Sequence, residues 1–180
     1  MNVQDFFNQF NQRAADFDHA FGNQCVDLVQ FYNRDVVGGP RLVGAAAKDI
    51  WNTFPRDFYD RVDNTPTNFP VLGDIMIWTG GEFGHIAVVQ RADVSTFTSF
   101  DQNFPQQGFT DAHGDFIGTG VCHFQDHNYT NPAVRGWLHP KVQHLEANDA
   151  LAHIRALVDA AGNDADTRTQ IRAILDQAGV

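Results

Sequence analysis

Residues 15–27 read ADFDHAFGNQCVD. The stretch sets Cys25 behind an acidic loop and at the head of CVDLVQFY (25–32), whose apolar residues recur at helical spacing. Asp16, Asp18 and Asp27 fill the first, third and twelfth places of a twelve-residue window, from which an EF-hand-type loop presents oxygens to Ca²⁺. The carbonyls of Ala20 and Gly22 are spaced to complete an oxygen shell, whereas His19 takes an even place and points to solvent. Two positions depart from an EF-hand: Phe21 stands where that loop has glycine, and Asp27 is shorter than the usual Glu. An acidic N-capping loop accounts for the same residues without a metal. Cys25 itself begins a helix, where unpaired N–H groups and the dipole favour a thiolate. A cysteine is also often just a small buried apolar residue, and Cys122 in VCHF (121–124) is read that way.

Working outward, Phe6, Phe10, Ala14 and Phe17 predict an amphipathic helix over 2–14. The helix that starts near Gln24 is expected to run to Val36, closed by Gly38-Gly39-Pro40. A short helix follows at 45–51, and 54–70, with three prolines, reads as an irregular surface excursion. Strand signals then take over at 75–78, 85–91, 96–101 and 120–125, with a long loop at 105–119. Helices followed by an antiparallel meander make an α+β fold. Beyond Pro140 the composition shifts, and 145–160 and 165–178 are predicted as two helices around Gly162-Asn163-Asp164. The expected division is therefore a main domain over 1–142 and a helical appendage over 143–180.

The chain of 180 residues carries a formal net charge of −10 and no basic run, which excludes a phosphate-backbone partner. No stretch approaches the length of a membrane span, so membrane insertion is not expected. MNVQDFFNQFNQR (1–13) lacks the n-region and h-region of a signal peptide, giving an expectation of synthesis in the cytoplasm. Two cysteines do not build a disulfide framework.

A nucleophilic cysteine needs a base, and the base needs an orienting group. Among eight histidines, His85 stands out because it opens a strand after the glycine-rich turn TGGEFG (79–84). If the following hairpin turns at Asp93, His85 pairs directly with Asp101 across the strands, with Asn103 two residues on along the same face. A facing carboxylate fixes an imidazole's tautomer and steadies its charged form. His113, His123, His127, His139 and His144 are scattered; His123 and His127 fall four apart but in strand and loop, with no HExxH pattern, so zinc is not expected.

Together, GNQCVDLVQFY (22–32), VLGDIMIW (71–78), GHIAVV (84–89), FDQN (100–103) and VRGWLHP (134–140) resemble the CHAP family, cysteine, histidine-dependent amidohydrolases/peptidases of papain-like fold, over roughly residues 10–140. The resemblance implies Cys25 as nucleophile, His85 as general base, Asp101 as orienting acid in place of the more usual Glu, and Asn103 as the polar residue after it. Gln24 and the Cys25 N–H become candidates for the oxyanion hole. Some members bind calcium beside the cysteine, which implies Ca²⁺ held by Asp16, Asp18 and Asp27 with the Ala20 and Gly22 carbonyls. The family's usual substrate is bacterial peptidoglycan, and many members are phage endolysins, freed through a holin or carried on the virion. Two other readings stay open: a non-enzymatic calcium-binding virion module, and a papain-like amidase acting on a substrate other than the wall.

Overall fold

The computed structural model describes residues 1–131 and 133–141, with Ile154, Thr169, Ile171 and Arg172 beyond them. The expected helical hairpin and the domain boundary at 142 lie outside the described residues. Helix α1 spans Val3–Phe10, opened by Asn2, whose side chain accepts the Asp5 N–H at 2.8 Å. It stops short of the expected residue 14 because the next segment bonds elsewhere. The Gln12 N–H donates to the Cys122 carbonyl and the Cys122 N–H to the Arg13 carbonyl, both at 2.8 Å. Phe6 and Phe7 are fully buried and pack edge-on and tilted against Phe100. Helix α2 spans Cys25–Tyr32, and its continuation over Asn33–Val37 widens into a π turn closed by Gly38 at φ +73°. Helix α3 is the short Ile50–Thr53.

Among the described residues, six strands form one antiparallel sheet in the order β1-β8-β2-β3-β4-β7. Their ranges are Tyr59–Asp63 for β1, Ile75–Trp78 for β2, His85–Ala92 for β3, Thr96–Asp101 for β4, His123–Asn128 for β7 and Val134–Pro140 for β8. Strand β1 corrects the reading of 54–70 as irregular. Among the described residues it is an edge strand pairing with β8 alone, four of its five residues are not buried, and the surrounding prolines mask so short a run. The last predicted strand begins three residues late, since Cys122 is engaged with the segment after α1. The expected loop at 105–119 contains a two-stranded hairpin, β5 (Gly108–Thr110) and β6 (Phe116–Gly118).

Alternation along the strands gives the sheet two apolar faces. Ile75, Ile77, Ile86, Val88, Phe100 and Leu138 pack under α1 and α2. Met76, Trp78, Ala87, Val89, Phe97 and Trp137 form a second cluster on the other face. His85 has the parity of Ala87 and Val89, and Asp101 that of Phe97.

Candidate active site

Strand β3 pairs with β4 through Val88↔Phe100 and Val89↔Ser99, then slips one residue at Gln90. Continuing that register sets Ala87, not His85, opposite Asp101. The direct pairing expected from a turn at Asp93 is therefore corrected to a diagonal one. The cause is local: Asp93 Oδ1 accepts the Ser95 and Thr96 N–H groups at 2.7 and 2.8 Å, carrying the tip of the hairpin beyond Asp93. The side chains still meet. His85 Nε2 lies 2.5 Å from Asp101 Oδ1, with both residues buried.

Cys25 arrives from the other side of the sheet, as the first residue of α2, and its thiol interacts with the His85 side chain. With Nε2 committed to Asp101, Nδ1 is the nitrogen left for the thiol. Burial opposes charge on His85, but its hydrogen bonds to Asp101 and Cys25 and their negative charge prevail, lifting its pKa to about 10. Burial likewise opposes charge on Asp101, yet hydrogen bonds from His127 and His85 bring it down to about 2. An imidazolium held between an ionised carboxylate and a sulfur at a helix N-terminus is suited to generating a thiolate nucleophile.

Two residues after Asp101, Asn103 adopts φ +59° and reaches the residue before Cys25. Its Nδ2 donates to Gln24 Oε1 at 3.3 Å, and its Oδ1 accepts the Gln107 N–H at 2.8 Å. Gln24 Nε2 donates to the Phe21 carbonyl at 2.6 Å, so its amide is tied into the acidic loop.

Four contributors were not read from the sequence. Ser99 Oγ donates to Asp101 Oδ2 at 2.5 Å, and its place two residues before Asp101 on one strand was a usable signal. His127 Nε2 reaches the same oxygen at 3.3 Å. Phe104 stacks on His85 with centroids 4.6 Å apart. Gln102 is fully buried and joins the segments around Cys25. Its Oε1 accepts the Ala15 N–H at 2.6 Å and the Cys122 thiol at 3.0 Å, while Nε2 donates to the Ala15 and Gln24 carbonyls at 2.6 and 2.7 Å.

The acidic loop is folded by its own carboxylates: Asp16 Oδ1 accepts the His19 N–H at 2.8 Å and Asp18 Oδ1 the Ala20 N–H at 3.1 Å. Gly22, at φ +69°, lets the chain lie against β6, where a Cβ would stand 2.4 Å from the Gly118 carbonyl oxygen. One carboxylate oxygen from each of Asp16, Asp18 and Asp27 falls within 4.8 Å of the others. Asp27 is 4% exposed, and burial raises its carboxyl to about 6 against the N–H groups of Gln24 and Phe17, with Asp18 and Asp16 adding repulsion. Arg41 offsets part of that charge through Asp18 Oδ2 at 2.6 Å. A crowded oxygen-only donor set of this kind fits a hard divalent cation. His19 is exposed, as expected.

The family model described as "CHAP domain" matches residues 14–103. Among curated proteins, Endolysin PlyTW of Staphylococcus phage Twort is 32% identical over 127 residues, which is 64% of this chain and 27% of that protein. "Probable autolysin PH" of Staphylococcus aureus is 32% identical over 103 residues, 52% of this chain and 20% of that protein. The chain thus aligns with about a quarter of the length of these relatives. Among solved structures, the wild type endolysin LysIME-EF1 superposes with TM-score 0.62 at 25% identity, covering 78% of this chain and 64% of that one. Ly7917, crystallised with the hydrolysing product of MDP, superposes with TM-score 0.55 at 14% identity over 78% of this chain and 63% of that one, a likeness of fold.

Proposed function

The chain belongs to the CHAP-domain family, and on that premise we propose that it hydrolyses amide bonds of bacterial peptidoglycan with Cys25 as nucleophile. The observation that carries this reading is the contiguity of Cys25, His85 and Asp101 at a helix N-terminus. His85 Nδ1 takes the Cys25 proton, and the thiolate attacks the wall-peptide carbonyl carbon, forming a C–S bond. The Cys25 N–H, unpaired at the start of α2, faces the oxyanion with Gln24 beside it. His85 then gives its proton to the leaving amine as the C–N bond breaks. It next takes a proton from the water that attacks the thioester, and returns it to sulfur as the acid leaves. Asp101 keeps the imidazole oriented and stabilises its charged form throughout. Asn103 steadies the Gln24 side chain.

The same reading assigns a Ca²⁺ ion to Asp16, Asp18 and Asp27 with the Ala20 and Gly22 carbonyls. When bound, the ion supplies positive charge that relieves the repulsion among these carboxylates. The role suggested by the relatives is host lysis as a phage endolysin, acting on the wall after release through a holin or from the virion. Among the described residues, no helix is long and apolar enough to cross a membrane.

Cys25→Ala decides the matter. The variant should keep the wild-type melting temperature and lose clearing of Gram-positive cell walls; retained clearing refutes the assignment. Loss of nothing but binding, with wild-type Cys25 inert to iodoacetamide at neutral pH, would point to a non-enzymatic module. Release of amines from other amides but not from walls would point to a different substrate.

A further inference from the structure

Asp101 is fully buried, so water cannot satisfy the oxygen it does not give to His85. Protein groups do so instead. Oδ2 receives the Ser99 hydroxyl from within β4 and His127 Nε2 from β7, the outermost strand beside it. Because an ionised carboxylate only accepts, the His127 nitrogen that faces it carries the proton. The side chain of His127 is 8% exposed. Its ring is stacked on Phe97 at 5.1 Å and 21°, and tilted against Trp78 at 5.1 Å and Phe104 at 5.7 Å. Trp78 and Phe104 also contact the His85 ring, at 5.0 and 4.6 Å. The same aromatic wall therefore sets the planes of both imidazoles on either side of one carboxylate.

We infer that His127 is a positioning residue: with Ser99 it holds Oδ2 of Asp101, so that Oδ1 stays turned on the His85 ring. A carboxylate held at one oxygen by a single hydroxyl can still rotate about its Cβ–Cγ bond. A second donor from a neighbouring strand removes that freedom and fixes the His85 hydrogen bond in the geometry transfer requires. The inference rests on the catalytic reading of Cys25, His85 and Asp101.

The test uses His127→Phe, which fills the aromatic pocket without a donor, and His127→Gln, which keeps an N–H donor. On solubilised cell-wall fragments, His127→Phe should lower kcat about tenfold with KM nearly unchanged, in line with loss of a hydrogen bond to an ion. Alkylation of Cys25 by iodoacetamide at neutral pH, which needs no substrate, should slow with it. His127→Gln should recover most of both rates. Wild-type kcat and alkylation in His127→Phe overturn the inference. So does equal impairment in His127→Gln, which assigns the residue to packing alone. Should His127→Phe fail to fold, Ser99→Ala, which removes the other donor, decides: unaltered kcat overturns the clamp. Cys25→Ala run alongside separates the two claims. Hydrolysis by that variant refutes the catalytic reading, whereas its inactivity beside a normal His127→Phe refutes only the clamp.

Discussion

Asp27→Asn should stabilise the cation-free protein at neutral pH. Asp27 is 4% exposed and its carboxyl is raised from 3.8 to about 6, chiefly by burial. A carboxyl whose folded value is raised contributes stability that is present below about 4 and lost as pH rises through about 6. At about 1.4 kcal/mol per pH unit, the ionised side chain costs about 3 kcal/mol at neutrality. Asparagine removes the charge but offers one carbonyl oxygen to the two N–H groups, Gln24 and Phe17, that the carboxylate accepts. That loss costs about 1 kcal/mol. The net gain of about 2 kcal/mol corresponds to about 4–8 °C in melting temperature for a chain of this size. The assay is thermal unfolding of both proteins in EDTA from pH 4 to 7.5, then with Ca²⁺ added. The variant's advantage should be absent at pH 4, grow through pH 6, and shrink or reverse with Ca²⁺, which stabilises only the wild type. A difference independent of pH would refute the burial argument, and a wild type indifferent to Ca²⁺ would refute the metal assignment.

Two further substitutions probe the frame around Cys25. Gln102→Leu strips donors and acceptors from Ala15, Cys122 and Gln24 in a fully buried place, and should lose at least about 3 kcal/mol by urea unfolding; a loss under about 1 kcal/mol would contradict the hydrogen-bond account. Asp101→Asn tests the His85 shift. A histidine raised to about 10 gives stability that is full below about 6.5 and lost as pH rises through about 10. The wild type's stability advantage over Asp101→Asn should therefore narrow between pH 7 and 10. It should persist down to pH 4, because Asp101 is held at about 2. A gap that stays constant from pH 7 to 10 would contradict it.

Where β-branched and aromatic residues cluster in short runs, the fold was legible: 75–78 and 96–101 are strands with the bounds read from the sequence. Helix α1 was overextended because apolar spacing continues past Phe10 while the backbone turns away to bond Cys122, a partner over a hundred residues distant. Strand β1 escaped notice since an edge strand needs few apolar residues. The candidate site was legible as Cys25, His85 and Asp101, though the pairing of the last two was misplaced because the Asp93 side chain caps the turn at Ser95 and Thr96. Ser99 could have been found by counting back two along the strand from Asp101. His127 could not: its approach depends on the β4–β7 register, which is set after the chain has passed through the β5–β6 hairpin.

Asp101, Gln102 and Asn103 are consecutive, yet each answers to a different part of the molecule: the His85 ring, the loop before Cys25, and the side chain of Gln24. A tripeptide divided in this way has no room for a change of length, because one inserted residue would misdirect all three assignments at once. The turn at 93–96 and the tip at 111–115 are different. Asp93 and Asp111 bond mainly within their own turns, out at the surface. Length variation, affinity tags or recognition loops grafted onto this scaffold therefore belong at those two tips. The candidate site can stay invariant while its rim is redesigned.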